Sequence, residues 1–270
     1  MAHSQSSSSS RFSIGPVDFQ RNGFYVIAGP CSIESQAQFQ ETAAFVKEFG
    51  ATILRGGVFK MRTSPNAFQG VGFEGLEWIG KIKNDLRMPL ISEITDPRQI
   101  ELLSPLLDAY QVGSRNMYNY ELLKELGKTN KPVMLKRGFS ALIDEWVKAA
   151  QYILQGGNSA VMLCERGIRT FETKMRNTLD LASVSYLKHH SDFPLIVDPS
   201  HGTGTRELII PMACAAVAAG ADGIMVEVHP QPDQALSDGF QALDFEGFKT
   251  LMARLRPFVE ASGKTLVTHV

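Results

Sequence analysis

From Phe24 onward, short apolar runs alternate with longer stretches in which apolar residues recur at helical spacing. Residues 24–28 read as a first strand, closed by Gly29 and Pro30. A helix over 35–49 follows, with Ala43, Ala44, Val46 and Phe49 on one side and Gly50 as its stop. Residues 51–54 form a second strand, and a long polar loop leads to a helix over 74–86. The third strand is 89–94, with a helix after Pro97, and the fourth is 109–112, with a helix over 120–126. The fifth is 132–136, backed by a helix over 143–154. The sixth is 160–164, followed by a helix over 177–188. The seventh is 194–197, with an alanine-rich helix over 209–219. The eighth is 223–226, and a helix over 245–261 comes last.

Eight such units in one chain of this length predict a closed parallel barrel, α/β in class and a single (β/α)8 TIM barrel in architecture. The strands are near-continuous apolar runs, as expected when both faces are buried. An open doubly wound sheet would show the same alternation, but no G-x-G-x-x-G follows the first strand. Ahead of the barrel, Phe12, Ile14, Val17 and Phe19 flank Gly15-Pro16 and predict a hairpin over 12–20 across the closed end. Residues 1–11 are dominated by a serine run without an apolar segment; they read as a disordered leader rather than a signal peptide. No Pro/Gly/Ser-rich linker divides residues 12–270, so one domain is expected.

Composition narrows the function. The chain has 270 residues, 44% hydrophobic and 20% charged, enough to bury a large core. Its 27 Lys+Arg against 28 Asp+Glu leave a net charge of -1, so no global field draws nucleic acid or an anionic membrane. Anion binding, if present, is local. Three widely spaced cysteines, Cys31, Cys164 and Cys214, fit a reducing compartment better than a disulfide framework. No apolar run approaches the roughly 20 residues of a membrane span. A soluble cytoplasmic protein is the expectation.

In a barrel of this kind the active site lies at the C-terminal ends of the strands. Arg55-Gly-Gly-Val-Phe-Lys-Met-Arg-Thr-Ser64 leaves the second strand with two glycines and three cations. Arg115, Lys136 and Arg166 occupy later strand ends. Arg55, Lys60, Arg62, Arg115, Lys136 and Arg166 would repel one another around one mouth unless anions hold them together. They imply ligands with several negative charges, most simply two phosphorylated substrates. Pairing with Glu93, Glu165 or Asp198 is the ordinary structural use of some of these cations, and Arg137 is expected to be such a case. A second set, Cys31, His201, Glu227 and Asp238, mixes a thiol, an imidazole and two carboxylates. That mixture suits a divalent transition ion, with His229 as an alternative to His201. Each residue alone has a plain structural use, from a buried thiol to a turn aspartate.

Several segments carry a family resemblance. They include Ala28-Gly-Pro-Cys-Ser-Ile-Glu-Ser35, Arg55 to Ser64, Phe68-Gln-Gly70, Gly113-Ser-Arg-Asn-Met117 and Leu135-Lys-Arg-Gly138. Further along stand Leu163-Cys-Glu-Arg-Gly-Ile-Arg-Thr-Phe-Glu172, Val197-Asp-Pro-Ser-His-Gly-Thr-Gly204, Val226-Glu-Val-His-Pro230 and Ala235-Leu-Ser-Asp-Gly239. In this order they resemble the 3-deoxy-D-arabino-heptulosonate 7-phosphate (DAHP) synthases, in the short microbial type I beta branch related to 3-deoxy-octulosonate 8-phosphate (KDO8P) synthase. The resemblance implies condensation of phosphoenolpyruvate (PEP) with erythrose 4-phosphate, the first step of the shikimate pathway to aromatic amino acids. It places one divalent ion (Mn, Fe, Zn or Co) on Cys31, His201, Glu227 and Asp238. PEP would contact Arg55, Lys60, Arg115, Lys136 and Arg166, and the aldose phosphate Arg62, Thr63 and Ser64. Lys60 and Glu93 would handle protons, with Cys31 and His201 in the catalytic centre. A homodimer or homotetramer is implied.

The chain departs from that branch at Met61 and Phe240, where proline is usual, at Asn66 for tyrosine and at Tyr118 for glutamine. Losing a proline frees φ beside the aldose-phosphate loop. The KDO8P branch would show a Lys-Ala-Asn-Arg-Ser-Ser pattern, whereas Arg62-Thr63-Ser64 favours the four-carbon aldose. A KDO8P-type enzyme using arabinose 5-phosphate is the nearest alternative, and a non-catalytic phosphosugar-binding barrel is one of another class. No fused ligand-sensing or chorismate mutase segment is recognisable in the sequence. The isolated chain is therefore expected to resist feedback by aromatic amino acids. An initial-rate assay with added phenylalanine or tyrosine tests this, and inhibition at sub-millimolar concentration would refute it.

Overall fold

In the computed structural model, which describes residues 11–268, the apolar runs become strands that stand side by side and close on themselves. Two short strands come first, β1 (Phe12–Ile14) and β2 (Val17–Phe19), paired antiparallel around Gly15. Among the described residues the barrel then consists of eight strands. These are β3 (Gly23–Gly29), β4 (Ile53–Arg55), β5 (Leu90–Glu93), β6 (Ala109–Val112), β7 (Val133–Lys136), β8 (Val161–Glu165), β9 (Leu195–Val197) and β10 (Gly223–Glu227). Each pairs in parallel with the next, and β10 returns to β3 with Glu227 opposite Gly29. Every residue of these eight strands is buried. That is why they read as unbroken apolar runs rather than as polar–apolar alternation.

Helices cover the outside: α1 (Gln36–Glu48), α2 (Glu74–Leu86), α3 (Gln99–Leu103), α4 (Tyr120–Gly127), α5 (Ile143–Gln155), α6 (Leu181–His190), α8 (Arg206–Ala218) and α9 (Phe245–Ala261), while the short α7 (Pro199–Thr203) is buried at the end of β9. Local chemistry sets their ends. The Ser35 hydroxyl accepts from the Gln38 N–H to start α1, and Gly50 follows its end at φ 91°. Asp180 caps α6 by accepting from the Ser183 N–H, which is why that helix starts later than the predicted residue 177. Residue 178 is instead held in an antiparallel bridge to Ile168.

Although both faces of each strand are apolar, side chains still alternate between two cores. Phe24, Val26, Leu54, Leu90, Tyr110, Leu135, Leu163 and Val226 pack outward against the helices. Tyr25, Ile27, Ile53, Ile91, Met134, Met162, Ile196 and Met225 fill the inside together with Ile14, Val17 and Phe19 of the hairpin. The Phe19 ring stacks on Tyr25 at 3.8 Å, so the hairpin plugs the N-terminal end of the barrel as predicted. Arg11 is the first described residue, its N–H donating to the Phe19 carbonyl at 2.8 Å; the rest of the predicted leader, residues 1–10, lies outside the described residues.

Two elements are absent from the sequence prediction. The short helix α7 follows β9 directly. A last strand, β11 (Thr265–Val267), pairs in parallel with Gly23–Tyr25 of β3, below the point where β4 begins. No helix among the described residues is long and apolar enough to cross a membrane.

Asp222, just before β10, ties this lower end together. Its carboxylate accepts from Lys188 Nζ at 2.9 Å, Lys264 Nζ at 3.2 Å and the Leu195 N–H at 2.9 Å, and it is 1% exposed. Burial alone would raise its pKa, but Lys264 and Lys188 outweigh burial and hold it below the ordinary 3.8. Its stabilising contribution is thus complete above that value and fades as pH falls beneath it. Asp222→Asn, which strands two lysines and Arg11, should lose about 3–5 kcal/mol in chemical denaturation at neutral pH. The variant should also show less additional loss than the parent below about pH 4.

Candidate functional site

The same alternation that fills the barrel places its chemistry. Ile53, Ile91, Ala109, Met134, Cys164, Ile196 and Met225 belong to the inner core. Two residues further along each strand, Arg55, Glu93, Gln111, Lys136, Arg166, Asp198 and Glu227 fall on the inward side at the C-terminal end, all of them buried. The residues between them point outward. Arg137 and Glu165 have that parity and bond to each other at 3.0 Å, with Asp180 adding a contact at 2.9 Å. Arg137 is therefore a structural cation, as its sequence context predicts.

Cys31, His201, Glu227 and Asp238 converge although β3, α7, β10 and the loop after β10 supply them. One donor atom from each lies within 4.8 Å of the others. Register brings Glu227 beside the end of β3, and α7 turns His201 inward. Asp198 caps α7, accepting from the His201 N–H at 2.9 Å, and its other oxygen accepts from Nδ1 of the same ring at 2.7 Å. That fixes Nε2 toward Glu227 Oε1, 3.2 Å away. Burial pushes the His201 pKa down to about 4 against the pull of Asp198 and Glu227, so the ring is neutral near pH 7 and Nε2 presents a lone pair. Burial, with Glu227 adding to it, raises the Cys31 thiol to about 12, and its sulfur lies 3.2 Å from Asp238 Oδ2. A bare imidazole nitrogen facing a carboxylate, and a thiol facing a second carboxylate, are electron-pair donors turned toward one another. The set fits a divalent ion with nitrogen, oxygen and sulfur ligands. His229, the alternative, is outside this group: Nε2 lies 3.4 Å from Glu34 and Nδ1 accepts from the Gln231 N–H.

The six cations do converge, but internal carboxylates compensate four of them. Arg55 pairs with Glu227 at 3.2 Å, Lys60 with Glu93 at 3.3 Å, Arg62 with Asp238 at 3.4 Å and Lys136 with Asp198 at 2.5 Å. Arg115 and Arg166 form no ion pair with a carboxylate among the described residues. Their guanidinium carbons sit 5.1 and 4.8 Å from the centre of the Phe139 ring, which stabilises a cation without neutralising it. Burial lowers the Arg166 pKa to about 10, still far above neutrality. For Lys60, burial also works against the charge, but the carboxylates of Glu93, 3.3 Å away, and Glu227 favour the ammonium.

One pocket at the mouth is lined by Lys60, Arg62, Thr63, Ser64, Glu93, Arg115, Lys136, Arg166, His201 and Asp238. Arg55 and Cys31 border an adjoining polar space that shares Lys60 and Glu93, and Glu227 is wholly buried behind them. Met61 also lines the pocket, while Asn66, Tyr118 and Phe240 are exposed. Sequence reasoning missed Arg176, whose Nη1 lies 3.2 Å from Asp238 Oδ1 and 2.5 Å from Gln241 Oε1. It missed Gln241 as well, which donates to Glu227 Oε2 at 2.7 Å. Arg176 lies in an irregular loop and Gln241 ends a single 3-10 turn (Gly239–Gln241), too short for periodicity to mark it.

Comparison with known proteins identifies the family to which this barrel belongs. Residues 17–260 match the model of the DAHP synthetase I family. A phospho-2-dehydro-3-deoxyheptonate aldolase from Thermotoga maritima is 46% identical over 93% of this chain and 74% of its own. Its crystal structure superimposes with a TM-score of 0.91 at 44% identity, covering 96% of this chain and 76% of that one. A 2-dehydro-3-deoxyphosphooctonate aldolase from Desulfotalea psychrophila is 31% identical over 85% of this chain and 88% of its own. With the family match spanning residues 17–260 and the barrel shared with a relative at 46% identity, the chain belongs to the DAHP synthetase I family.

Proposed function

We propose that this pocket condenses PEP with erythrose 4-phosphate and water to give DAHP and phosphate, as a metal-dependent, C–C bond-forming transferase. The observation that carries the reading is the meeting, in one mouth, of two uncompensated guanidiniums with the Cys31–His201–Glu227–Asp238 set. Kinship to the Thermotoga protein, named for the seven-carbon product, favours it over the eight-carbon product of the more distant relatives.

In this reading Arg115, Arg166, Lys136 and Lys60 receive the PEP phosphate and carboxylate, with Arg55 behind them. Arg62, Thr63 and Ser64 receive the phosphate of the aldose. Because four cations already have internal partners, the charge left for substrate is concentrated on Arg115 and Arg166. Cys31, His201, Glu227 and Asp238 would hold the divalent ion, Mn, Fe, Zn or Co, which when bound supplies a Lewis acid for the aldehyde carbonyl. C3 of PEP then forms the new bond to the aldehyde carbon. The Lys60 ammonium, 3.3 Å from Glu93, is placed to give the aldehyde oxygen its proton, and Glu93 to accept one from the water that adds at C2. Cleavage of the C2–O bond releases phosphate, and its developing charge falls among the same cations. The cytoplasm is the compartment we infer, supported by three free and buried cysteines.

Phosphate release should require PEP together with erythrose 4-phosphate and should stop when a chelator is added. Turnover with arabinose 5-phosphate in preference would move the specificity to the octulosonate branch, and turnover with neither would leave a binding barrel. Asp198→Asn should weaken divalent-ion affinity about 10–100-fold in calorimetric titration of chelator-treated protein, because it releases the His201 ring from its orientation. Unchanged affinity would show that the orientation does not depend on Asp198.

A further inference from the structure

Asp238 is shared by two arginines. Arg62 Nη1 approaches Oδ2 at 3.4 Å, and Arg176 Nη1 approaches Oδ1 at 3.2 Å. A third, Arg115, lies close enough for both to act on it. Burial lowers its pKa first, and Arg176 and Arg62 add to that effect. Arg115 Nε also donates to the Thr63 hydroxyl at 3.2 Å, which links this cluster to the loop after β4. All four side chains line the same pocket as Asp238. Two guanidiniums thus share one carboxylate at the mouth, with Arg115 beside them in the same pocket. A dianionic group bridging them would remove the excess positive charge, and a phosphate has the oxygens to meet several guanidinium forks at once.

We propose that Arg176 is a substrate-binding residue, completing with Arg62, Thr63 and Ser64 the subsite for the phosphate of the second substrate, an aldose phosphate. This rests on the reading of the pocket given above. Several features suit Arg176 to the task. Its side chain is 27% exposed, against 2% for the buried Arg166, so it can be reached from solvent. Its backbone is fixed: the N–H donates to the Thr203 carbonyl at 2.9 Å. Gly204, at φ 68°, leaves room for the stem, since a Cβ there would lie 2.3 Å from Arg176 Cβ. Its other partner, Gln241, is neutral and can release it without leaving a charge unpaired. The Phe240 ring, 5.9 Å from the guanidinium carbon, supports the cation from outside. Phosphate binding would exchange the contacts of Arg62 and Arg176 with Asp238 for contacts with phosphate oxygens, freeing both Asp238 oxygens for the donor set.

The experiment is steady-state kinetics of the full chain with Arg176→Gln and Arg176→Lys, paired with calorimetric binding of erythritol 4-phosphate, which carries the phosphate but no aldehyde. Wild-type turnover of PEP with erythrose 4-phosphate is measured first; its failure sinks the functional reading itself and the inference with it. Given that turnover, Arg176→Gln should raise KM for erythrose 4-phosphate about 10–100-fold, as expected for a charged hydrogen bond lost. It should weaken erythritol 4-phosphate binding by a similar factor and leave KM for PEP within about threefold. Arg176→Lys, which keeps the charge but not the fork, should fall between. Equal rises in both KM values would overturn the inference. So would a fall in kcat with both KM values and erythritol 4-phosphate binding unchanged, which would leave Arg176 only a support for Asp238.

Discussion

Closure of the barrel between β10 and β3 is the constraint on which the mouth depends. That pairing sets Glu227 opposite Gly29, two residues before Cys31, and so joins the first strand of the barrel to the last. On the other side of β3, Gly29 admits the end of β4: at φ 149° a Cβ there would fall 2.1 Å from the Arg55 carbonyl oxygen, a backbone atom that cannot swing aside. The hairpin plug and β11 reinforce β3 from the other end, through the Phe19–Tyr25 stack and the pairing with Gly23–Tyr25. The strand that carries the least tolerant close approach is also the one with the most neighbours.

Inside that closed wall, charge is organised in layers. Apolar side chains fill the lower barrel, and the next inward position on every strand except β3, which has Gly29 there, is charged or polar. Burying these groups is costly unless they are paired, and the barrel pairs most of them across strands: Arg55 with Glu227, Lys60 with Glu93, Lys136 with Asp198. The pairing is incomplete. Arg115 and Arg166 rest on Phe139, whose ring stabilises them while leaving their charge for an incoming anion. A carboxylate in the place of that ring would have stabilised the free protein more and competed with every phosphorylated ligand.

The donor set shows the same economy. Asp198 serves at once as helix cap, histidine orienter and partner of Lys136. A single carboxylate thus couples the nitrogen donor of the Cys31 group to the cationic wall. Gln241 repeats the pattern in neutral form, linking Glu227 to Arg176.

How much of this was legible depended on whether the information was local. Eight apolar runs with helical stretches between them implied a parallel barrel, because burial on both faces removes polar residues from a strand. The strand-end rule then picked out Arg55, Lys60, Arg115, Lys136 and Arg166 and grouped Cys31, His201, Glu227 and Asp238 as a second set, on which the motif resemblance placed the metal. What the sequence could not show was partnership. Nothing local says that Arg137 faces outward to Glu165 while Lys136 faces inward to Asp198, although strand parity decides it once the register is known. Arg176 sits in a loop and Gln241 in a single turn, and contacts with distant segments set the paths of both. The helix α7 and the strand β11 are too short for periodicity to declare them. The sequence by itself determined the fold, which follows from residue type and spacing, and through its family resemblance the kind of chemistry. Only the tertiary structure decided which charges cancel and which stay available, because that depends on distances between strands far apart in the chain.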